Sequence, residues 1–156
     1  MKIEEMLKKF TDAVETHNGA ALGQLFAEDG VYHDAFYGEF KGRKRVAELI
    51  DVWFYKTAKD FKWDMHEPVF DGRTLYVRYV FSYNSILPEA KGARVMFEGV
   101  SIMKLNKDGL IDVYREVADT APALLGLNFP PERVAKIKLK HGAELRGRAE
   151  SKAHLG

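Results

Sequence analysis

Two carboxylates are the residues of this chain best suited to chemistry: Asp34 and Glu116. The chain has no cysteine, which excludes thiolate nucleophiles, disulfides and Cys-based zinc sites. An unaided carboxylate can move protons. Burial in apolar surroundings disfavours its charged form and raises its pKa, which makes it an acid or a base near neutral pH. Asp34 ends the run Val31 to Asp34, read as a short strand, just before the aromatic pair Phe36 and Tyr37. That position also suits a turn-starting aspartate. Glu116 shares a strand face with Tyr114 and Ala118, a face that looks either into a pocket or into solvent. His66 is expected at a pocket mouth and His33 at a surface or interface. His33, His66, Asp34 and Glu116 have no spacing diagnostic of a metal site, so no metal and no cofactor are expected.

The elements that must position these groups follow from periodicity. Ile3, Met6, Leu7, Phe10, Ala13, Val14 and His17 recur at three- and four-residue steps, which predicts an amphipathic helix ended by Asn18-Gly19. A short second helix follows, with Leu22, Leu25 and Phe26 apolar, ending at Asp29-Gly30. Gly38 and Gly42 mark a loop. A third helix is expected from Arg43 to Ala58, on Val46, Leu49, Ile50, Trp53 and Phe54, with its aromatics in the core first and touching a ligand second. The period then changes to two. Strands are expected over Phe61 to Phe70, interrupted by Pro68, and over Thr74 to Ser85, Ala93 to Leu105 and Leu110 to Val117. Asp71-Gly72 and Asn106 to Gly109 are the clearest hairpin turns. Arg78, Val80 and Ser82 share one strand face, and Val77, Tyr79 and Phe81 the other. Val95, Phe97, Gly99 and Ser101 are read as facing a pocket, and Met96, Glu98, Val100 and Ile102 as an apolar outer face that a second copy would cover. Helices followed by a meander indicate an α+β fold with helices on one face of an antiparallel sheet.

Composition agrees with an ordinary globular domain. The chain has 156 residues, 46% hydrophobic and 30% charged, with ten Phe and seven Tyr for a ring-lined interior. The net charge of +1 gives no reason to expect nucleic acid or an anionic membrane as a partner. Acidic residues precede any apolar run at the start, and no stretch of 18 apolar residues occurs, so neither a signal peptide nor a membrane span is expected and a cytoplasmic location is the default. The tail differs. Pro130-Pro131-Glu132 opens a helix, and from Glu132 onward seven Lys or Arg stand against three Glu. This basic helix reads as a solvated element packing over the pocket mouth or on a partner subunit.

Two passages carry a resemblance. One is Leu25-Phe-Ala-Glu-Asp-Gly-Val-Tyr-His-Asp34 with Gly42-Arg-Lys-Arg-Val46. The other is Lys107-Asp-Gly-Leu-Ile111 with Tyr114-Arg-Glu-Val-Ala-Asp119. Together they resemble the nuclear transport factor 2-like superfamily, nearest in pattern to SnoaL-type polyketide cyclases, ketosteroid isomerases and limonene-epoxide hydrolases. The resemblance covers roughly residues 3–120. It implies a cystatin-like cone, three N-terminal helices against a strongly curved antiparallel sheet, around an internal pocket for a small hydrophobic molecule. It further implies a pocket domain over residues 1–120, with 121–156 as an extension of the same domain. By resemblance Asp34 falls on the general base of the isomerases, Tyr32 on the water-positioning tyrosine of the epoxide hydrolases, and Glu116 near the carboxylate of the last strand. Arg78 matches the arginine of the epoxide-hydrolase pair.

The departures are equally specific. Val80 stands in place of an aspartate of those hydrolases, Phe10 in place of the isomerases' oxyanion tyrosine, and Ser101 in place of their protonated aspartate. Neither activity is then expected intact. The expectation is a homodimer that binds a small hydrophobic molecule and runs cofactor-free acid–base chemistry of isomerase, cyclase or hydrolase type, or else a non-catalytic binding module of the same fold. Asp34, Glu116 and Tyr32 would be the catalytic groups. Phe10, Phe36, Tyr37, Trp53, His66, Arg78, Val80, Phe97, Ser101 and Tyr114 would contact the ligand, with Arg78 close to one carboxylate.

Overall fold

A computed structural model describes residues 2–156. Helix α1 (Ile3–Glu15) turns Met6, Leu7, Phe10, Ala13 and Val14 inward. Its acidic first turn, Glu4 and Glu5, complements the helix dipole. Helix α2 (Gly19–Gln24) starts where the Asn18 side chain accepts the Ala21 N–H. It stops at Gln24, and strand β1 (Phe26–Asp34) takes over the segment Phe26 to Gly30 that periodicity had placed in the second helix. The expected loop between Gly38 and Gly42 is a short strand, β2 (Gly38–Lys41), paired to β1.

The third helical stretch is three segments in series: α3 (Arg43–Glu48), a π-helical stretch (Leu49–Phe54) and α4 (Tyr55–Thr57). The wider π turns are a local insertion of a kind common at functional sites. They bury Leu49, Ile50 and Phe54 on the core side. This stretch is tied back to the others at two points: Asp51 accepts the Gly19 N–H at 2.8 Å, and the Tyr55 hydroxyl donates to the Val14 carbonyl at 2.8 Å.

Strands β3 (Ala58–Phe70), β4 (Thr74–Ser85), β5 (Arg94–Leu105) and β6 (Ile111–Asp119) form an antiparallel meander. The full order is β2-β1-β6-β5-β4-β3. The sheet is curved and mixed, because β1 runs parallel to β6. A purely antiparallel sheet was expected, and residue alternation, which reports a strand's faces but not its partner, could not have distinguished the two. Gly99 stays in register opposite Tyr79 and Ala118. The irregularities in β3 fall between Lys59 and Lys62 and between His66 and Val69, around Asp60 and Glu67, both with positive φ. Pro68 sits in the second of these on an edge strand, where a missing N–H is tolerated.

After β6 come α5 (Ala121–Gly126) and α6 (Pro131–Arg146), which begins where the paired prolines indicated. Ala123, Leu124, Leu127, Phe129 and Val134 join the same buried cluster as the helices and sheet. No helix among the described residues is long and apolar enough to cross a membrane.

Candidate active site

The sheet's inward residues are mostly rings. On β4, Tyr79 and Phe81 point in, so Arg78 and Val80 point out. On β3, Phe61 and Trp63 are buried, and on β5 Phe97. These rings, with Phe54, Phe36, Tyr37, Tyr83, Thr57 and Ala58, enclose a cavity of about 50 Å³. Its polar wall is Tyr32, Asp34 and Glu116, and no Lys, Arg or His lines it.

Asp34 and Glu116 stand on neighbouring strands, β1 and β6. One Asp34 oxygen, Oδ2, accepts the backbone N–H groups of Phe36 and Tyr37, each at 2.9 Å. Asp34 is therefore both the turn-starting aspartate and a cavity residue, and its Oδ1 accepts nothing among the described residues. Glu116 is more fully held. Its Oε1 accepts the Ala35 N–H at 3.2 Å, and its Oε2 accepts the hydroxyls of Tyr79 at 2.7 Å and Tyr114 at 3.2 Å. Since Tyr114 gives its proton to Glu116, the Ser101 hydroxyl donates to Tyr114, at 3.0 Å.

Burial raises both carboxyls above the ordinary carboxylate range. For Glu116 the charge of Asp34 raises it further, against the bonds from Tyr79, Ala35 and Tyr114. For Asp34 only the Tyr37 and Phe36 amides oppose burial. Two such groups in one cavity cannot readily both be charged, so they titrate as a pair. Tyr79, Tyr32 and Tyr114 are raised by burial and next by the Glu116 charge, which keeps their hydroxyls protonated as donors.

A second, polar cleft of about 540 Å³ lies beside the pair, lined by His33, Glu39, Arg115, by His141, Glu144 and Leu145 of α6, and by Arg148 just beyond its end. Asp34 and Glu116 are the two residues that line both spaces. The basic tail helix thus borders this cleft. Burial, then the charges of Arg115 and Arg148, lower the His33 pKa, so its ring is neutral near pH 7.

The remaining expected contacts divide by depth. Phe36, Tyr37 and Phe97 line the cavity with Tyr32. Phe10, Tyr114 and Ser101 are fully buried behind it. Phe10 stacks on Tyr114 and Tyr32 at 5.4 and 6.3 Å between ring centroids, and meets Trp63 edge-on. Trp53, Arg78, Val80 and His66 are not at the cavity. Trp53 covers Tyr37 and Phe40 from outside. Arg78 pairs with Glu67 on the outer face at 3.2 Å, far from either carboxylate's partners, because the inward step of the alternation belongs to Tyr79. Val80 shares that outer face. His66 is exposed and lies in a separate groove beside α1. The sequence reading passed over Tyr79, Trp63, Phe61 and Phe81. The alternation Val77, Tyr79, Phe81 was visible as a face, but nothing marked it as the inner one. Among the described residues no three His, Asp or Glu side chains gather in a way that would hold a metal ion.

No curated protein matches the chain. Solved structures do. A protein of ketosteroid isomerase-like fold from Catenulispora acidiphila, crystallised with trimethylamine, has a TM-score of 0.72 at 18% identity, covering 84% of this chain and 98% of that one. An epoxide hydrolase of Mycobacterium tuberculosis, similar to limonene-epoxide hydrolase, has a TM-score of 0.62 at 20% identity, covering 79% and 86%. The epoxide hydrolase/cyclase-like enzyme SalBIII, of pyran ring formation in polyether salinomycin, has a TM-score of 0.64 at 18% identity, covering 76% and 92%. At such identities the likeness is one of fold. The SnoaL-like domain model matches residues 7–114, from α1 to the middle of β6. With that match over most of its length, the chain belongs to the SnoaL-like domain family of the nuclear transport factor 2-like superfamily.

Proposed function

We propose that the aromatic cavity binds a small apolar molecule and that Asp34 and Glu116 move protons on it, Asp34 as base through its open Oδ1 and Glu116 as acid. The observation that carries this reading is the position of the pair in the wall between an apolar cavity and a polar cleft. Substrate would occupy the apolar side, while solvent restores the protons from the polar side. The two carboxylates also differ as an acid and a base should. Burial and the added charge of its neighbour hold Glu116 at about 7, above the about 6 of Asp34, which keeps one oxygen without a donor. Tyr32 is assigned as a positioning donor. The chemistry needs no cofactor, and the epoxide hydrolase and the epoxide hydrolase/cyclase-like enzyme among the structural neighbours are consistent with it.

A second reading, a non-catalytic ligand-binding module, is favoured by the cavity's small volume and by Phe10 and Ser101, which stand in place of the isomerases' oxyanion donors and are buried behind the cavity wall. Deuterium exchange separates the two. A thermal-shift screen of small ketones and epoxides identifies a ligand, and turnover or hydrogen exchange of that ligand in D₂O is then compared between the natural chain and Asp34→Asn. Binding with no chemistry in the natural chain supports the module.

Two further parts of the proposal concern assembly. Segment 121–156 completes the pocket domain, since its residues share the core and border the polar cleft. A second copy covers the outer sheet face, where Tyr76, Met96, Val100 and Val117 are exposed.

A further inference from the structure

Three consecutive backbone N–H groups donate to the carboxylate pair. Ala35 gives its proton to Glu116 Oε1 at 3.2 Å, and Phe36 and Tyr37 give theirs to Asp34 Oδ2 at 2.9 Å each. No backbone carbonyl among the described residues accepts any of the three. They form the turn that joins β1 to β2, and this turn is the part of the cavity wall that belongs to no helix and no strand. Phe36 meets Phe97 edge-on at 5.9 Å, and Tyr37 lies against Trp53 and Phe54 at 5.5 and 6.3 Å between ring centroids. Tyr37 is the exposed residue of the lining, at 39%. Its hydroxyl reaches Thr57 Oγ1 across the mouth at 3.4 Å, long for a bond between hydroxyls.

We infer that the turn of Ala35, Phe36 and Tyr37 is the gate of the cavity, and that the charge of the carboxylate pair latches it, so that a proton taken up by Asp34 or Glu116 releases it. The inference rests on reading the aromatic cavity as the ligand site, and not on proton transfer to a ligand. A charged acceptor holds an N–H about twice as strongly as a neutral one. Asp34 Oδ1 accepts no donor among the described residues, so a proton settles there and leaves Oδ2 a weaker acceptor for two amides. Glu116 has no spare oxygen, because Oε2 holds Tyr79 and Tyr114, and a proton on Oε1 displaces the Ala35 N–H outright. Tyr32, Tyr79, Tyr83 and Tyr114 face the pair from β1, β4 and β6, with Tyr37 in the turn itself. Burial raises all five, so they stay protonated. From the polar cleft the pair is faced by His33 of β1, Glu39 of β2, Arg115 of β6, His141 and Glu144 of α6, and Arg148. The three amides donate to none of these. A second turn of the same build supplies a control. Asp71 Oδ1 accepts the Arg73 and Thr74 N–H at 2.8 and 2.6 Å, but Asp71 stands in solvent and these bonds lower its pKa, so that latch stays charged.

The test uses the full chain, amide hydrogen exchange corrected for the intrinsic rate, and xenon as an uncharged probe of the cavity. From pH 8 to pH 5 the protection of the Ala35, Phe36 and Tyr37 amides should fall roughly tenfold, while the Arg73 and Thr74 amides keep theirs. Asp34→Asn should lower the protection of Phe36 and Tyr37 by about tenfold already at pH 8, which separates Asp34 from the histidines of the cleft. Bound xenon, located by the shifts it causes at the Thr57 and Ala58 methyl groups, should exchange with bulk several-fold faster at pH 5 than at pH 8. In Asp34→Asn it should exchange at pH 8 about as fast as in the natural chain at pH 5. Were that variant to fail to fold, the pH series of the natural chain decides alone. The inference is overturned by protection that ignores pH at all three amides, by natural protection at pH 8 in Asp34→Asn, by xenon exchange that ignores both pH and variant, or by no xenon at the two methyl groups at any pH. Neither readout involves chemistry on the probe. A working gate with no turnover of any ligand therefore keeps the inference and sinks the proton-transfer reading. Turnover with amides that ignore pH does the reverse.

Discussion

At the scale of single residues, the behaviour of the cavity reduces to two carboxyls with unequal surroundings. Asp34→Asn keeps the side chain's shape and a carbonyl oxygen for the Phe36 and Tyr37 amides, so folding and ligand binding should survive while any turnover is lost. Full activity in that variant on a ligand found by screening would remove Asp34 from the mechanism. Stability against pH gives an independent test. Both folded pKa values are raised, so the folded state binds more protons than the unfolded chain above the ordinary carboxylate range. The pair therefore costs nothing below the ordinary carboxylate range, and its cost grows as pH rises from there to the folded values of about 6 and about 7, above which it is constant. Glu116→Gln should accordingly raise the thermal midpoint at pH 8, by about 2–4 °C per kcal/mol recovered, and raise it much less at pH 4. A variant less stable than the natural chain at pH 8 would show that the bonds from Tyr79, Tyr114 and Ala35 outweigh burial. Tyr79→Phe removes the shortest of those bonds, and should raise the Glu116 pKa further, read by carboxyl NMR titration.

At the scale of elements, the meeting of β4, β5 and β6 sets the site. Gly99 has no side chain because there is no room for one. A Cβ there would lie 2.7 Å from the Tyr79 hydroxyl, 2.7 Å from the Val117 carbonyl and 2.9 Å from the Ala118 Cβ. The missing side chain lets Tyr79 reach Glu116. Gly99→Ala should cost about 1–3 kcal/mol in chemical denaturation through overpacking. It should also push the Tyr79 hydroxyl off Glu116. Unchanged stability together with an unchanged Glu116 titration would contradict the close approach.

Across the whole molecule, a sheet curved around the cavity leaves its outer face to be covered. Tyr76, Met96, Val100 and Val117 are 45%, 62%, 37% and 68% exposed, on three adjacent strands. Static light scattering should give the mass of a dimer, and Val100→Glu should shift it to monomer without loss of fold. A monomer at high micromolar concentration would leave this face without the proposed partner.

Much of this was legible in the chain itself. The stripe from Met6 to Val14, the turns at Asp71-Gly72 and Asn106 to Gly109, and the paired prolines before α6 are local signals, set by a few neighbouring residues, and each element stands close to where they pointed. Asp34 was legible too, through a turn-forming carboxylate beside two rings and through the family phrase around it. The pocket side of β5 was legible as well, but the sequence could not specify which face of β4 turned inward or which strand met which. Arg78 and Tyr79 are adjacent, and only the packing of β4 between β3 and β5 sends the arginine out to Glu67 and the tyrosine in to Glu116. The same holds for the parallel contact of β1 with β6, between segments some eighty residues apart, which brings Glu116 beside Asp34. Local chemistry dictates periodicity and turns. Long-range packing of non-local strands, which no short window of residues encodes, chose the rings and the carboxylate pair that share one cavity.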